Sequence, residues 1–129
     1  MPKREPVRPT NAELEILRVL WQQGPSTVRE VHESLRRADP VGYTTVLKLM
    51  QIMTEKGLVT RDVSARSHVY TAAASERTTQ RHMVTDLVER VFGGSTLGLV
   101  LHALSTTASN ARELDQVRKL LDQKKGARA

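Results

Sequence analysis

Tyr43-Thr44-Thr45-Val46-Leu47-Lys48-Leu49-Met50-Gln51-Ile52-Met53-Thr54-Glu55-Lys56-Gly57 is the stretch whose reading decides the fold. At 3.6 residues per turn Val46, Leu49, Met50 and Met53 share one face, while Thr44, Thr45, Leu47, Lys48, Gln51 and Glu55 fall mostly on the other. The first face needs a core. The second opens with two hydroxyls and a cation, carries no acid until Glu55, and stops at Gly57. A helix laid in the major groove of DNA needs such a face, so this stretch is the candidate recognition helix.

Upstream, Thr10-Asn11-Ala12-Glu13 has the spacing of a capping box and starts a helix. Leu14, Leu17, Val19, Leu20 and Trp21 supply its apolar face, and Gly24-Pro25 ends it. Trp21 is in line with Leu14 and Leu17, which favours a core plug over a base-stacking platform. Ser26 and Thr27 offer caps for a second helix, with Glu30 three residues after Thr27 and Val28, Val31 and Leu35 as the buried stripe to about Arg37. Pro40 and Gly42 then turn the chain into the third helix. After Gly57 the period becomes two: 58–63 and 67–71 read as strands around a loop at Ser64-Ala65-Arg66. Three helices followed by a hairpin predict a winged helix-turn-helix.

A joint at 72–75 separates this part from three further helical stretches, about 76–91, 96–104 and 111–124. The fold class expected is therefore mainly α with a small β-hairpin: a basic arm over 1–9, a winged helix-turn-helix domain over 10–74, and a helical dimerisation domain over 75–129. Leu97, Leu99, Val100, Leu101 and Leu104 make the fifth helix apolar almost all round. Three helices enclose little core, so a second copy of the chain is the simplest place to bury them, with packing on the first domain as the alternative. The candidate interface residues are Leu87, Val91, Leu97, Val100, Leu101, Leu104, Leu114, Val117 and Leu121.

The 129 residues carry a formal net charge of +6, which favours polyanionic partners. Residues 1–72 hold 11 Lys and Arg against 8 Asp and Glu, and residues 73–129 hold 9 against 6, so each part is +3. Charge alone therefore does not mark a DNA-reading half. Only one Phe, one Trp and two Tyr are present, so the core must be aliphatic. The absence of cysteine removes disulfides, thiolate metal sites and cysteine nucleophiles. There is no amino-terminal apolar h-region and no apolar run near 18 residues, which predicts a cytoplasmic chain without membrane insertion. His32, His82 and His102 are scattered, Glu30-Val31-His32-Glu33 lacks the second His of a zinc helix, and no phosphate loop or nucleophile elbow occurs. The expectation is no enzyme, no metal and no cofactor.

Thr44 and Thr45 at the helix start can meet a phosphate or a base edge, and Lys48 one turn on can bond guanine or neutralise a phosphate. Tyr43 hydrogen-bonds a phosphate or staples the helix start. Leu47 packs on a thymine methyl or belongs to the core, and Ile52 poses the same question. Arg61 and Arg66 near the wing are phosphate or minor-groove candidates against a plain surface-charge reading, and His68 reads as a strand surface residue. Ser26, Thr27 and Arg29 could hold a phosphate at the second helix's start, although capping explains the two hydroxyls without DNA.

The run Asn11-Ala12-Glu13-Leu14-Glu15-Ile16-Leu17 with Leu20-Trp21, then Thr27-Val28-Arg29-Glu30-Val31, Tyr43-Thr44-Thr45-Val46, Lys56-Gly57-Leu58-Val59 and Tyr70 resembles the penicillinase-repressor (BlaI/MecI) family of bacterial transcriptional repressors. The resemblance covers 10 to about 72 well and the rest by helix order. It implies a homodimer of winged-helix domains on a palindromic operator in double-stranded DNA, blocking transcription. It also implies release when a membrane sensor with a metalloprotease domain leads to cleavage in the dimerisation domain. His102-Ala103 lies in the matching region, where the staphylococcal members have a different residue pair. A copper-responsive branch ends in clustered cysteines, which this chain lacks. A protein-binding adaptor and a DNA binder without sequence preference are the competing functions.

Overall fold

Thr10 starts the first helix by reciprocal bonding: its hydroxyl accepts the Glu13 N–H at 3.2 Å and its own N–H donates to Glu13 Oε1 at 2.8 Å. That helix, α1 (Asn11–Gln23), belongs to a computed structural model describing residues 8–38, 40–106 and 110–127. The arm expected over 1–9 lies outside the described residues up to Val7, as do Asp39 in the turn before the third helix, residues 107–109 and the last two residues. Thr27 repeats the capping device with Glu30 to open α2 (Val28–Arg36). The third helix, α3 (Tyr43–Lys56), is followed by strands β1 (Val59–Asp62) and β2 (Val69–Ala72). Helices α4 (Glu76–Arg90), α5 (Thr96–Thr106) and α6 (Ala111–Ala127) complete the chain.

α3 ends because Gly57 adopts φ 81°, a left-handed conformation that costs side-chain-bearing residues about 1–2 kcal/mol. The Leu58 N–H then reaches back to the Met53 carbonyl at 2.9 Å, closing a Schellman-type stop and launching β1. β1 pairs antiparallel with β2 in the register Val59↔Ala72 to Asp62↔Val69. A third extended segment is reduced to one residue, Ser26, which exchanges two backbone hydrogen bonds with Tyr70 at 3.0 and 2.8 Å. Tyr70 is thereby held between Arg61 on one side and Ser26 on the other, with its ring buried.

The core joins Ile16, Leu17, Val19 and Leu20 of α1, Val28 and Val31 of α2, Val46, Met50 and Met53 of α3, Val59 and Tyr70. Leu14, Trp21, Leu35 and Leu49, expected inside, are only partly buried, and Ile16 takes the central place. Trp21 keeps an outer edge because its Nε1–H donates to the Ala74 carbonyl at 3.0 Å, tying α1 to the chain leaving β2. The strands are shorter than expected. Asp62 ends β1 by accepting the Ser64 N–H at 2.9 Å, an Asx turn, so 63–68 form a six-residue loop and His68 precedes β2 rather than lying in it. This order of three helices and a hairpin is a winged helix-turn-helix.

The chain divides into two compact units, 1–85 and 86–129, so the division falls inside α4. In the second unit Gly93 and Gly94 take positive φ, the Gly94 N–H reaches the Val88 carbonyl at 2.8 Å, and Phe92 meets the His102 ring with centroids 5.4 Å apart. A Cβ at Gly98 would press on Phe92 and Ser95 at 3.3 Å, which explains glycine there. Among the described residues no side chain beyond Tyr70 is buried. Nor is any described helix long and apolar enough to cross a membrane.

Candidate nucleic-acid interface

α3 is held against the protein by one face and leaves the other open. Val46, Met50 and Met53 are fully buried, whereas Thr44, Thr45, Lys48, Gln51 and Glu55 are exposed. Leu47 and Ile52 are half-buried on the two flanks, and Leu47 packs against the core cluster. Both alternatives for Leu47 meet in its position: it lies one residue beyond buried Val46 and three before Met50, on the border between the two faces. Only its outer part faces solvent.

The three helix starts differ in a way that bears on ligands. In α1 and α2 a threonine hydroxyl accepts one first-turn N–H, that of the glutamate, and the glutamate carboxylate accepts the threonine N–H, placing an acid at the helix start. In α3 the preceding residue is Gly42, no side chain caps the helix, and no acid lies in its first turn. The N–H groups of Tyr43, Thr44 and Thr45 therefore point out at a partial positive charge, with Lys48 one turn on. Lys48, Arg61 and Arg66 make no ion pair among the described residues.

His32 fixes where that start lies. Its Nε2 stands 2.8 Å from the Val41 carbonyl, and since a carbonyl only accepts, this nitrogen carries the proton. The same ring meets Tyr43 edge-on, with centroids 5.7 Å apart and planes at 86°. Tyr43 thus packs its ring on α2 and remains 46% exposed.

A second anchor holds the other end of α3. Glu13, 1% exposed, receives Lys56 Nζ at 3.1 and 2.9 Å while also serving the α1 cap. Burial raises the Glu13 pKa, but the Thr10 N–H and the Lys56 ammonium outweigh it and leave the carboxyl below its ordinary value. The pair spans 43 residues, so helical periodicity holds no trace of it. A capping glutamate whose position falls on the buried side of α1 was the available signal.

At the start of α2 the expectation of a phosphate site is corrected for Ser26 and Thr27. Ser26 is buried at 2% and its hydroxyl donates to the Gly24 carbonyl at 2.8 Å, so it is turned away from solvent. Thr27 spends its acceptor on the Glu30 N–H, and the Glu30 carboxylate sits on the Thr27 N–H, placing negative charge where a phosphate would go. Arg29 is exposed and lies 3.7 Å from Glu33. In the wing Arg61 and Arg66 are exposed together with Val63. The nearby Asp62 carboxyl is held below its ordinary pKa by the Ser64 hydroxyl and N–H, so that acid is engaged by its own loop.

In the helices after the wing, Leu87, Val91, Leu97, Val100, Leu101, Leu104, Leu114 and Leu121 are exposed and Val117 is half-buried. Of the exposed large apolar residues among those described, all but Tyr43 and Val63 lie at or beyond Val84. Such a concentration of apolar surface is unusual on an isolated chain.

Known proteins match this arrangement. The chain is similar to the transcriptional regulator BlaI of Mycobacterium tuberculosis, 30% identical over 104 residues that cover 79% of this chain and 74% of that protein. It is similar to the penicillinase repressor of Bacillus licheniformis, 22% identical over 116 residues that cover 90% and 91%. In structure it resembles the solution structure of the DNA-binding domain of the repressor BlaI, with TM-score 0.50 and 25% identity over 58% of this chain and 90% of that one. The family model described as penicillinase repressor matches residues 9–123, and with a relative at 30% identity over most of both lengths the chain belongs to the penicillinase repressor family.

Proposed function

We propose that this chain is a sequence-specific DNA-binding transcriptional repressor that acts as a homodimer on a palindromic operator. The observation that carries the reading is the open start of α3: an uncapped first turn with exposed Thr44, Thr45 and Lys48, presented on a helix whose opposite face is locked in the core. Free N–H groups take a phosphate and set the register, while the cation one turn on reaches a base edge or a second phosphate. Tyr43, Arg29, Arg61 and Arg66 add backbone contacts, and the exposed side of Leu47 offers an apolar contact for a thymine methyl. Residues 10–74 then read DNA and 75–129 dimerise, the exposed leucines and valines of α4, α5 and α6 being covered by a second copy.

The relatives named as transcriptional regulator and penicillinase repressor support the repressor role. Family membership extends the reading to relief of repression by cleavage within the C-terminal helices, set off by a membrane sensor protease. A repressor acts on the chromosome, so the reading has the protein working in the cytoplasm.

Selection of duplexes from a random pool, followed by titration over a salt range, tests the reading. A repressor enriches a palindrome, and its affinity falls steeply with salt because phosphate neutralisation releases counterions. Equal binding to random duplex would point to an unspecific DNA binder, and no duplex-dependent shift to a protein adaptor. Operator affinity unchanged in the double variant Thr45→Ala, Lys48→Ala would show that α3 is not the reading helix.

A further inference from the structure

Thr44, Lys48, Gln51 and Glu55 follow one another at intervals of four, three and four residues, which sets them in a single stripe along α3. All four are exposed, and the stripe is bounded by half-buried Leu47 and Ile52. The Gln51 side chain makes no hydrogen bond among the described residues, although Glu55 follows it at the i,i+4 spacing. Its amide is therefore held on a rigid helix, outward, with donor and acceptor both unspent.

We propose that Gln51 is a specificity-determining residue that reads an adenine in each half-site, beside the base or phosphate met by Lys48. This rests on the reading in which the outward face of α3 enters the major groove. The chemistry separates the two side chains. Lys48 offers donors alone and matches the two acceptors of guanine, whereas the Gln51 amide offers an acceptor and a donor on neighbouring atoms and matches the N6–H and N7 of adenine. Three residues advance the helix by roughly 4.5 Å, close to one base-pair step of about 3.4 Å, so the two contacts fall on the same or neighbouring base pairs. Glu55, one turn farther, is an acceptor only and is repelled by phosphate, which ends the adenine- and guanine-reading stretch at Gln51.

The test is selection from a random duplex pool with the full-length wild-type chain, Gln51→Ala and Gln51→Glu, each checked for helix content by circular dichroism. Wild type should enrich a half-site with a defined adenine. Gln51→Ala should lose preference at that base pair alone, by about tenfold or more. Gln51→Glu, an acceptor without donors, should move the preference there toward cytosine. An adenine preference equally strong in Gln51→Ala, or a loss spread evenly over the half-site, would overturn the role of Gln51 while leaving the groove reading intact. A wild-type chain that enriches no sequence would remove both.

Discussion

Glu13 and Lys56 show how an ion pair at the far end of α3 from its uncapped start sets that helix in place. Glu13 is buried, caps α1 and meets the ammonium that ends α3, so removing the cation leaves a carboxylate in the core with only its cap. Lys56→Ala should therefore cost roughly 3 kcal/mol, read from denaturant midpoints, far above the effect of an exposed ion pair such as Lys119 with Asp115. The pH dependence has a definite sign. Because the folded Glu13 pKa lies below its unfolded value of about 4.3, its contribution is complete above that pH and is lost as pH falls through the folded pKa. Stability of the wild type measured between neutral pH and pH 3 should fall more steeply than that of Glu13→Gln. Parallel curves would show that the pair carries no linked proton. Lys48 belongs to the other face: Lys48→Ala should weaken operator binding by ~1–3 kcal/mol if it meets a base, or lower the salt slope by about one if it meets a phosphate.

The helices of the first unit are built to start and stop where they do. Two of them open on a Thr with Glu three residues on, and α3 alone opens on a glycine. Thr27→Ala should cost about 1 kcal/mol of stability. Its effect on DNA affinity should be small, since the Thr27 hydroxyl already serves the helix; a large loss of operator binding at unchanged stability would restore it to the contact surface. Gly57→Ala meets no steric neighbour, so its cost is the left-handed backbone itself, about 1–2 kcal/mol in thermal or chemical unfolding. The wing is likewise a local construction, in which Asp62 turns the chain through Ser64 and leaves Arg66 on a loop longer than the residue pattern predicts.

For the chain as a unit of function, the decisive fact is the uneven distribution of burial. The winged-helix unit owns the buried core, while α5 carries Leu97, Val100, Leu101 and Leu104 in the open. A homodimer should therefore have about twice the 14.4 kDa mass of one chain by light scattering at micromolar concentration. Leu101→Glu should shift it toward the monomer and weaken operator binding, because two linked half-site contacts become one. A monomeric wild type would remove the basis for the twofold arrangement.

Helix identity and order were legible from residues alone because they depend on local chemistry: Thr10 and Thr27 with their glutamates, Gly24 and Gly57 as stops, and the apolar positions Val46, Met50 and Met53 at helical spacing. So was the outward face that opens with Thr44, Thr45 and Lys48, since a helix with one face buried must turn the other out. What required the tertiary structure are contacts between residues remote in the chain. Lys56 meets Glu13, Trp21 meets Ala74, Ser26 pairs its backbone with Tyr70, and His32 holds the turn before α3. The burial of Ser26 and the half-burial of Leu47 follow from that packing, because a periodic pattern says which way a side chain points but not what stands in front of it.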